Sequence, residues 1–264
     1  MDLQLKNKSA LVTGSTAGIG FAIASLFAQE GAAVVVNGRS QERVDEAVER
    51  IQREHKGARV TGLAADLGTA KGVDLLTQSL PAVEILVNNL GIFELKPFTD
   101  IPDEDWLRFF EVNVMSGVRL SRFYLPGMLE RNWGRIVFIS SESALNIPAE
   151  MIHYGVTKTA QVSLARGLAE MTKGTSVTVN SVLAGPTRSE GVEVLLGEIA
   201  KVQGSDTAAV EKEFFRSIRP SSLLKRFAAP EEVASMVVYV CSPLASATNG
   251  AAVRVEGGVV QSIV

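Results

Sequence analysis

The stretch SALVTGSTAGIGFAIASLF, residues 9–27, changes its hydrophobic period halfway along. Ser9 to Thr13 is an apolar run of strand length, whereas Ile19, Ala22, Ile23, Leu26 and Phe27 recur on one face of a helix that Gly31 ends. Glycines at 14, 18 and 20 occupy the junction. Without Cβ atoms the backbone there can turn sharply and approach a phosphate, whose charge the free amides at the helix N-terminus would meet. Tight turns also select glycine, so position specifies the reading. This is the first strand-to-helix turn of the chain, where an open α/β sheet binds a dinucleotide.

Outward from this unit the same rhythm repeats. AAVVVN, ARVTGLA, EILVNN, RIVFIS, SVTVNSV and AAVRVE follow SALVT as apolar runs, seven in all, with helix-period segments between them. Several are apolar on both faces, as strands covered by helices on each side are. The pattern predicts an α/β chain with a doubly wound, seven-stranded parallel sheet and helices on both faces, a single Rossmann domain over residues 1–264. One segment, about 186–226, is too long for an ordinary connection and is expected to form a lid over the ligand site. Within it Val192, Leu195, Leu196 and Ile199 share one helical face and Phe214, Phe215 and Ile218 another, with a break at Gly204 to Asp206. The alternative is a helical excursion that only packs on the core.

A net charge of −3 with scattered arginines gives no footprint for nucleic acid or a membrane surface. The one cysteine, Cys241, reads as a buried thiol, and two histidines without a C-x-x-C supply no metal cluster. An N-terminus without an apolar leader, and no run of about eighteen apolar residues, point to a cytoplasmic protein.

Ligands of such a sheet bind beyond the carboxyl ends of its strands. There the chain places Asn88, Asn89 and Gly91 after the fourth run, Ser140 and Ser141 after the fifth, and Gly185, Pro186 and Thr187 after the sixth. After the second come Asn37, Gly38 and Arg39, with no carboxylate to take a ribose 2′-hydroxyl. Arg39 can instead pair with a 2′-phosphate, which favours NADP(H) and leaves NAD(H) open. Tyr154 and Lys158 stand at i and i+4 and can address one pocket, where an ammonium would lower the phenol's pKa from its reference of about 10.

T-G-x-x-x-G-x-G at Thr13 to Gly20, N-N-x-G at Asn88 to Gly91, a lone Asn113, Ser141 thirteen residues before Tyr154, and Y-x-x-x-K at Tyr154 to Lys158 together resemble the short-chain dehydrogenase/reductase family, over nearly the whole chain. The resemblance implies an oxidoreductase moving a hydride between a nicotinamide and a carbonyl or secondary alcohol. By it Tyr154 is the general acid/base and Lys158 lowers its pKa and holds the nicotinamide ribose. Ser141, rather than Ser140, polarises the substrate oxygen, and Asn113 anchors a water linking Lys158 to solvent. The cofactor is expected against Thr13, Gly14, Ser15, Thr16, Gly18, Ile19 and Gly20, with Asp66 and Leu67 near adenine, Asn89 and Gly91 near its ribose, and Thr187 and Ser189 near the carboxamide. Leu90, Ala184, Ser189 and Glu256 stand where the family usually has alanine, proline, threonine and aspartate.

The same resemblance implies a homotetramer or homodimer, packing helices around 105–131 and 152–173 across one axis and the last strand across another; Met115, Val118, Leu120, Val162, Leu164 and Leu168 are candidates for the apolar surface, a covered core face being the alternative. A catalytically silent cofactor-binding regulator is the competing reading, opposed by the intact Asn113, Ser141, Tyr154 and Lys158. An epimerase or dehydratase of the longer related branch is disfavoured by length. The substrate pocket is expected to be apolar, from Phe93, Leu95, Met151, Leu195, Leu196, Phe214 and Phe215, although Glu142, His153 and Arg188 are as close in sequence. Next to Tyr154 on a helix, His153 points elsewhere and takes a structural role.

Overall fold

The computed structural model describes residues 1–263; the side chain of Leu195, expected on the apolar face of the lid, lies outside the described residues. Each apolar run forms a strand: β1 (Ser9–Val12), β2 (Ala33–Gly38), β3 (Arg59–Ala64), β4 (Ile85–Asn88), β5 (Gly134–Ser141), β6 (Val177–Ala184) and β7 (Ala252–Val255). They make one seven-stranded sheet, all pairs parallel, in the order β3-β2-β1-β4-β5-β6-β7. The expected Rossmann-like α/β architecture is therefore the one observed.

Register explains why the runs are apolar throughout. Ala10 lies opposite Ile85 and Val12 opposite Val87, and these residues, with Val137 and Ile139, enter the core on one side of the sheet. Leu11, Leu86, Ile136 and Phe138, the intervening positions, enter the core on the other. Successive strand side chains point to opposite faces, so two covered faces favour apolar residues at both, and the polar exceptions such as Asn37 and Asn180 are buried and hydrogen-bonded. The first side is closed by α1 (Gly18–Gln29), α2 (Gln41–Glu54) and α9 (Pro230–Val240), the second by α3 (Ala70–Ser79), α5 (Ser116–Glu130) and α6 (Ile152–Glu170). Cys241 is a free, buried thiol at the end of α9, pushed up to about 12 by desolvation. Leu120, expected on an oligomer surface, is instead wholly buried on α5, and Leu164 and Leu168 pack against the same core.

Chain order reverses between β1 and β4, which opens a crevice beyond their carboxyl ends. The glycine turn follows β1 and Asn89 to Gly91 follow β4, so both face this crevice. The helix starts differ in a way that matters there. Ser40 caps α2 by accepting from the Arg43 N–H at 3.5 Å and Thr69 caps α3 by accepting from Gly72 at 3.0 Å, but Ala17 brings no side-chain acceptor to α1. The first amides of α1 are left for another partner.

After β6 the chain leaves the sheet as α7 (Glu190–Gln203), α8 (Thr207–Glu213) and a wide helical turn at Phe214–Ile218. Gly204, at φ +61°, ends α7, the Ser205 N–H donates back to Ala200 O at 3.0 Å, and Asp206 accepts from the Ala209 N–H at 2.7 Å to start α8. The predicted break at Gly204 to Asp206 thus has its chemistry. Leu196, Ala200, Val210, Phe215 and Phe227 form a small apolar cluster belonging to this excursion. Its two ends meet at a neck, where the Arg188 N–H donates to Ala228 O at 2.8 Å and the Ala228 N–H to Pro186 O at 2.9 Å. Among the described residues no helix is long and apolar enough to cross a membrane.

Candidate active site

Motifs distant in sequence lock the glycine turn. Asn89 Nδ2 donates to Thr13 O and Gly14 O at 3.0 and 2.9 Å, and Thr13 Oγ1 accepts from the Asn89 and Leu90 amides, both at 2.9 Å. Gly14 and Gly18 sit at φ +58° and +55°, and a Cβ on Gly20 would lie 2.4 Å from Gly14 O. Glycine is required at these points by conformation and by space. The Ser15 hydroxyl donates to Val12 O at 2.7 Å and accepts from the Asn37 N–H at 3.0 Å. Asn37 Oδ1 accepts from the Gly14 N–H at 3.3 Å while its Nδ2 donates to Leu63 O and Ala65 O.

The side chains of Thr13, Ser15 and Asn37 are thereby committed to holding the turn. What they leave for a ligand is backbone, the uncapped start of α1, and the side chains of Thr16 and Ile19. Arg39 is exposed at the end of β2 and makes no ion pair or hydrogen bond among the described residues. This donor set fits a dinucleotide with a 2′-phosphate. Of the two residues expected near adenine, Asp66 is exposed, whereas the Leu67 side chain is buried in the core.

Asn113, Ser141, Tyr154 and Lys158 come from three elements. Asn113 sits in a wide turn, Glu111–Met115, between α4 (Asp103–Phe110) and α5. Its Oδ1 accepts from the Ile92 N–H at 2.7 Å, and its Nδ2 donates to Ile92 O and Thr157 Oγ1, both at 3.0 Å. Ser141 ends β5; its oxygen accepts from the Ser143 N–H at 3.1 Å. Ser140 Oγ is turned away, donating to Lys158 O at 2.9 Å, which leaves Ser141 as the serine facing Tyr154. Lys158 Nζ donates to Ile139 O at 2.9 Å and lies 5.5 Å from the Tyr154 ring centre.

Electrostatics at the pair depart from the expectation. Burial pushes the Tyr154 phenol up to about 12; the Ser141 hydroxyl opposes the rise, Glu142 adds to it and Arg219 opposes it. Lys158 is itself pulled down to about 8 by desolvation. Desolvation disfavours the charged form of each group, and for the phenol it outweighs the opposing Ser141 and Arg219 contributions. In the chain alone Tyr154 is a firmly protonated acid.

Gln161, which the motif does not include, completes the arrangement. It accepts from Lys158 Nζ through Oε1 at 3.2 Å and donates from Nε2 to Asn113 O, so a protein amide joins Lys158 to the Asn113 backbone. The available signal was a glutamine three residues past Lys158, on the same helix face and buried.

A cavity of about 810 Å³ joins these parts, lined by Ile19, Asn89, Gly91, Ser141, Tyr154, Lys158, Thr187 and Ser189. The expected Phe93, Leu95, Met151, Leu196 and Phe214 also line it, and Phe93 stands edge-on to Tyr154 with ring centres 6.5 Å apart. Phe215 does not; it is buried in the excursion's own cluster. Arg188 is drawn off by Glu193 and Glu211. His153 is buried with no hydrogen bond to either nitrogen, packed 4.0 Å from the Phe109 ring centre, and desolvation lowers its pKa, as a structural role requires. Glu142 faces the cavity and accepts from Arg219 Nε at 2.8 Å, and Arg219 Nη1 donates to Glu150 at 3.2 Å.

Residues 8–196 match the family model of the short chain dehydrogenases. The chain belongs to the short-chain dehydrogenase/reductase family. This short-chain dehydrogenase is 50% identical over 263 residues to "Uncharacterized oxidoreductase YvaG" of Bacillus subtilis (strain 168), with 100% of each chain covered. It is 31% identical over 258 residues to D-beta-hydroxybutyrate dehydrogenase of Cupriavidus necator, covering 96% of this chain and 98% of that one. Among solved structures, L-sorbose reductase from Gluconobacter frateurii, complexed with NADPH and L-sorbose, superposes with a TM-score of 0.93 at 33% identity over 100% of both chains. This chain is accordingly an oxidoreductase acting on CH–OH or C=O groups with NAD(P).

Proposed function

We propose that this chain is an NADP(H)-dependent reductase of a carbonyl, or dehydrogenase of the corresponding secondary alcohol, with Tyr154 as general acid and base. The observation that carries this reading is one cavity lined together by Ser141, Tyr154, Lys158 and the glycine-turn residue Ile19. A bound nicotinamide would supply the hydride to the carbonyl carbon, or accept it from the carbinol carbon. As negative charge grows on the substrate oxygen, Ser141 donates a hydrogen bond to it and Tyr154 delivers the phenolic proton. In the opposite direction Tyr154 takes the hydroxyl proton. Burial keeps the phenol protonated, ready to donate, and the Lys158 ammonium 5.5 Å from its ring is the charge that would favour the phenolate when Tyr154 acts as base. Lys158, fixed by Ile139 O and Gln161, is the group placed to hold the nicotinamide ribose.

Arg39, free and exposed, supports NADP(H), as does the NADPH-bound neighbour. Thr187 and Ser189, at the start of the excursion, would meet the carboxamide, and α7 would act as the lid. Tyr154→Phe should lower kcat in a screen of ketones with NADPH by about 10³-fold while NADPH binding, read by fluorescence titration, survives. Equal activity in the variant refutes the assignment. The silent regulator draws no support from relatives named as oxidoreductases. Exposed Leu107, Phe110 and Phe123 on α4 and α5 support self-association to a dimer or tetramer, which sedimentation of a monomer at micromolar concentration would overturn.

A further inference from the structure

We infer that the substrate is a neutral hydroxyketone or the matching diol, its second hydroxyl held by Glu142 and Arg219, and that carboxylate-bearing keto acids are disfavoured. This inference rests on the oxidoreductase reading and adds to it the substrate class. Glu142 follows Ser141 directly, and it and Arg219 both face the cavity while being almost wholly removed from bulk water, at 4% and 7% side-chain exposure. Both act electrostatically on the Tyr154 phenol, which places them at the reacting end of the cavity.

Their hydrogen bonds are incomplete in a specific way. Arg219 uses Nε on Glu142 and Nη1 on Glu150 and Ile218 O, leaving Nη2 without a partner among the described residues. The Glu142 oxygens take one donor each, Arg219 Nε and Ser143 Oγ, and keep lone pairs to spare. A free donor beside a free acceptor complements a hydroxyl, which is both. Charge argues against an acid: Glu142, Glu150 and Glu213 line the cavity, and Arg219 is already neutralised by the first two. Phe93, Leu95 and Met151 on the remaining wall suit a carbon chain rather than further charge.

The test compares kcat/KM for three probes of equal carbon number with NADPH: 1-hydroxy-2-butanone, 2-butanone and 3-oxobutanoate. The hydroxyketone is expected to exceed the plain ketone by about tenfold or more, because a site built for a hydroxyl leaves buried polar groups unpaired without one. The keto acid is expected to be the poorest. Arg219→Met should collapse the hydroxyketone-to-ketone ratio towards one, a ratio that does not depend on how much of the variant folds. Glu150→Gln, at a half-exposed carboxylate, should raise the keto acid's kcat/KM by about tenfold by leaving Arg219 partly uncompensated. A keto acid turned over as well as the hydroxyketone, or a plain ketone equal to it, overturns the inference alone. No turnover of any probe with NADPH or NADH overturns the oxidoreductase reading beneath it.

Discussion

Lys158 gives the sharpest test of the site's electrostatics, because its consequence can be read from stability without any substrate. Desolvation takes its pKa from 10.5 to about 8, so between those values the unfolded chain binds a proton that the folded chain does not. Stability must then rise with pH across this window, since the slope carries the sign of protons bound unfolded minus folded. A shift of about 2.5 units at about 1.4 kcal/mol per unit amounts to about 3 kcal/mol, gained between about pH 7 and 10.5. Lys158→Met removes the titration and keeps the apolar stem. Its loss of the hydrogen bond to Ile139 O costs the same at every pH and does not enter the slope. Guanidinium unfolding followed by circular dichroism, at several pH values, should show wild type gaining about 3 kcal/mol on the variant over the window. A difference between the two proteins that stays flat with pH would mean that Lys158 is not desolvated as described, and the reasoning about Tyr154 would fall with it.

Two further outcomes follow from other residues. Gln161→Leu removes an acceptor from the Lys158 ammonium, so the acidic limb of alcohol oxidation should move up by about one pH unit; an unmoved limb would leave Gln161 a packing residue. Arg39→Ala should raise KM for NADPH by about tenfold and leave KM for NADH near wild type, with equal changes for both cofactors contradicting a role at the 2′-phosphate.

Local chemistry was legible and long-range geometry was not. The glycine turn, the seven strands and the Tyr154–Lys158 pair were readable because each is decided by residues within a few positions of one another. The hydroxyl of Ser15 and the side chain of Leu67 fall inside motifs that touch a ligand, yet they point inward, and direction is set by packing against β2 and the core. The desolvation that raises the Tyr154 pKa is illegible for a related reason: depth of burial is a property of the whole fold, whereas the ammonium four residues away is local. Arg219 stands 77 positions from Glu142, and no periodicity could have joined them.

The neck at Pro186–Arg188 and Ala228 has a consequence for how such a chain can diversify. Everything between these residues leaves and rejoins the sheet at this neck, and it is tied again beyond β7, where the Leu223 and Leu224 N–H groups donate to Gly257 O at 2.8 and 3.0 Å, and to the end of β5 through Arg219 and Glu142. Between those ties the excursion carries its own apolar cluster. Lengthening a loop whose ends already meet costs only about 0.6 kcal/mol per doubling. Residues 189–218, between the neck and Arg219, are thus the part of this cavity wall that can change in length while Arg219, β5, α6 and the proton-transfer residues they hold stay where they are.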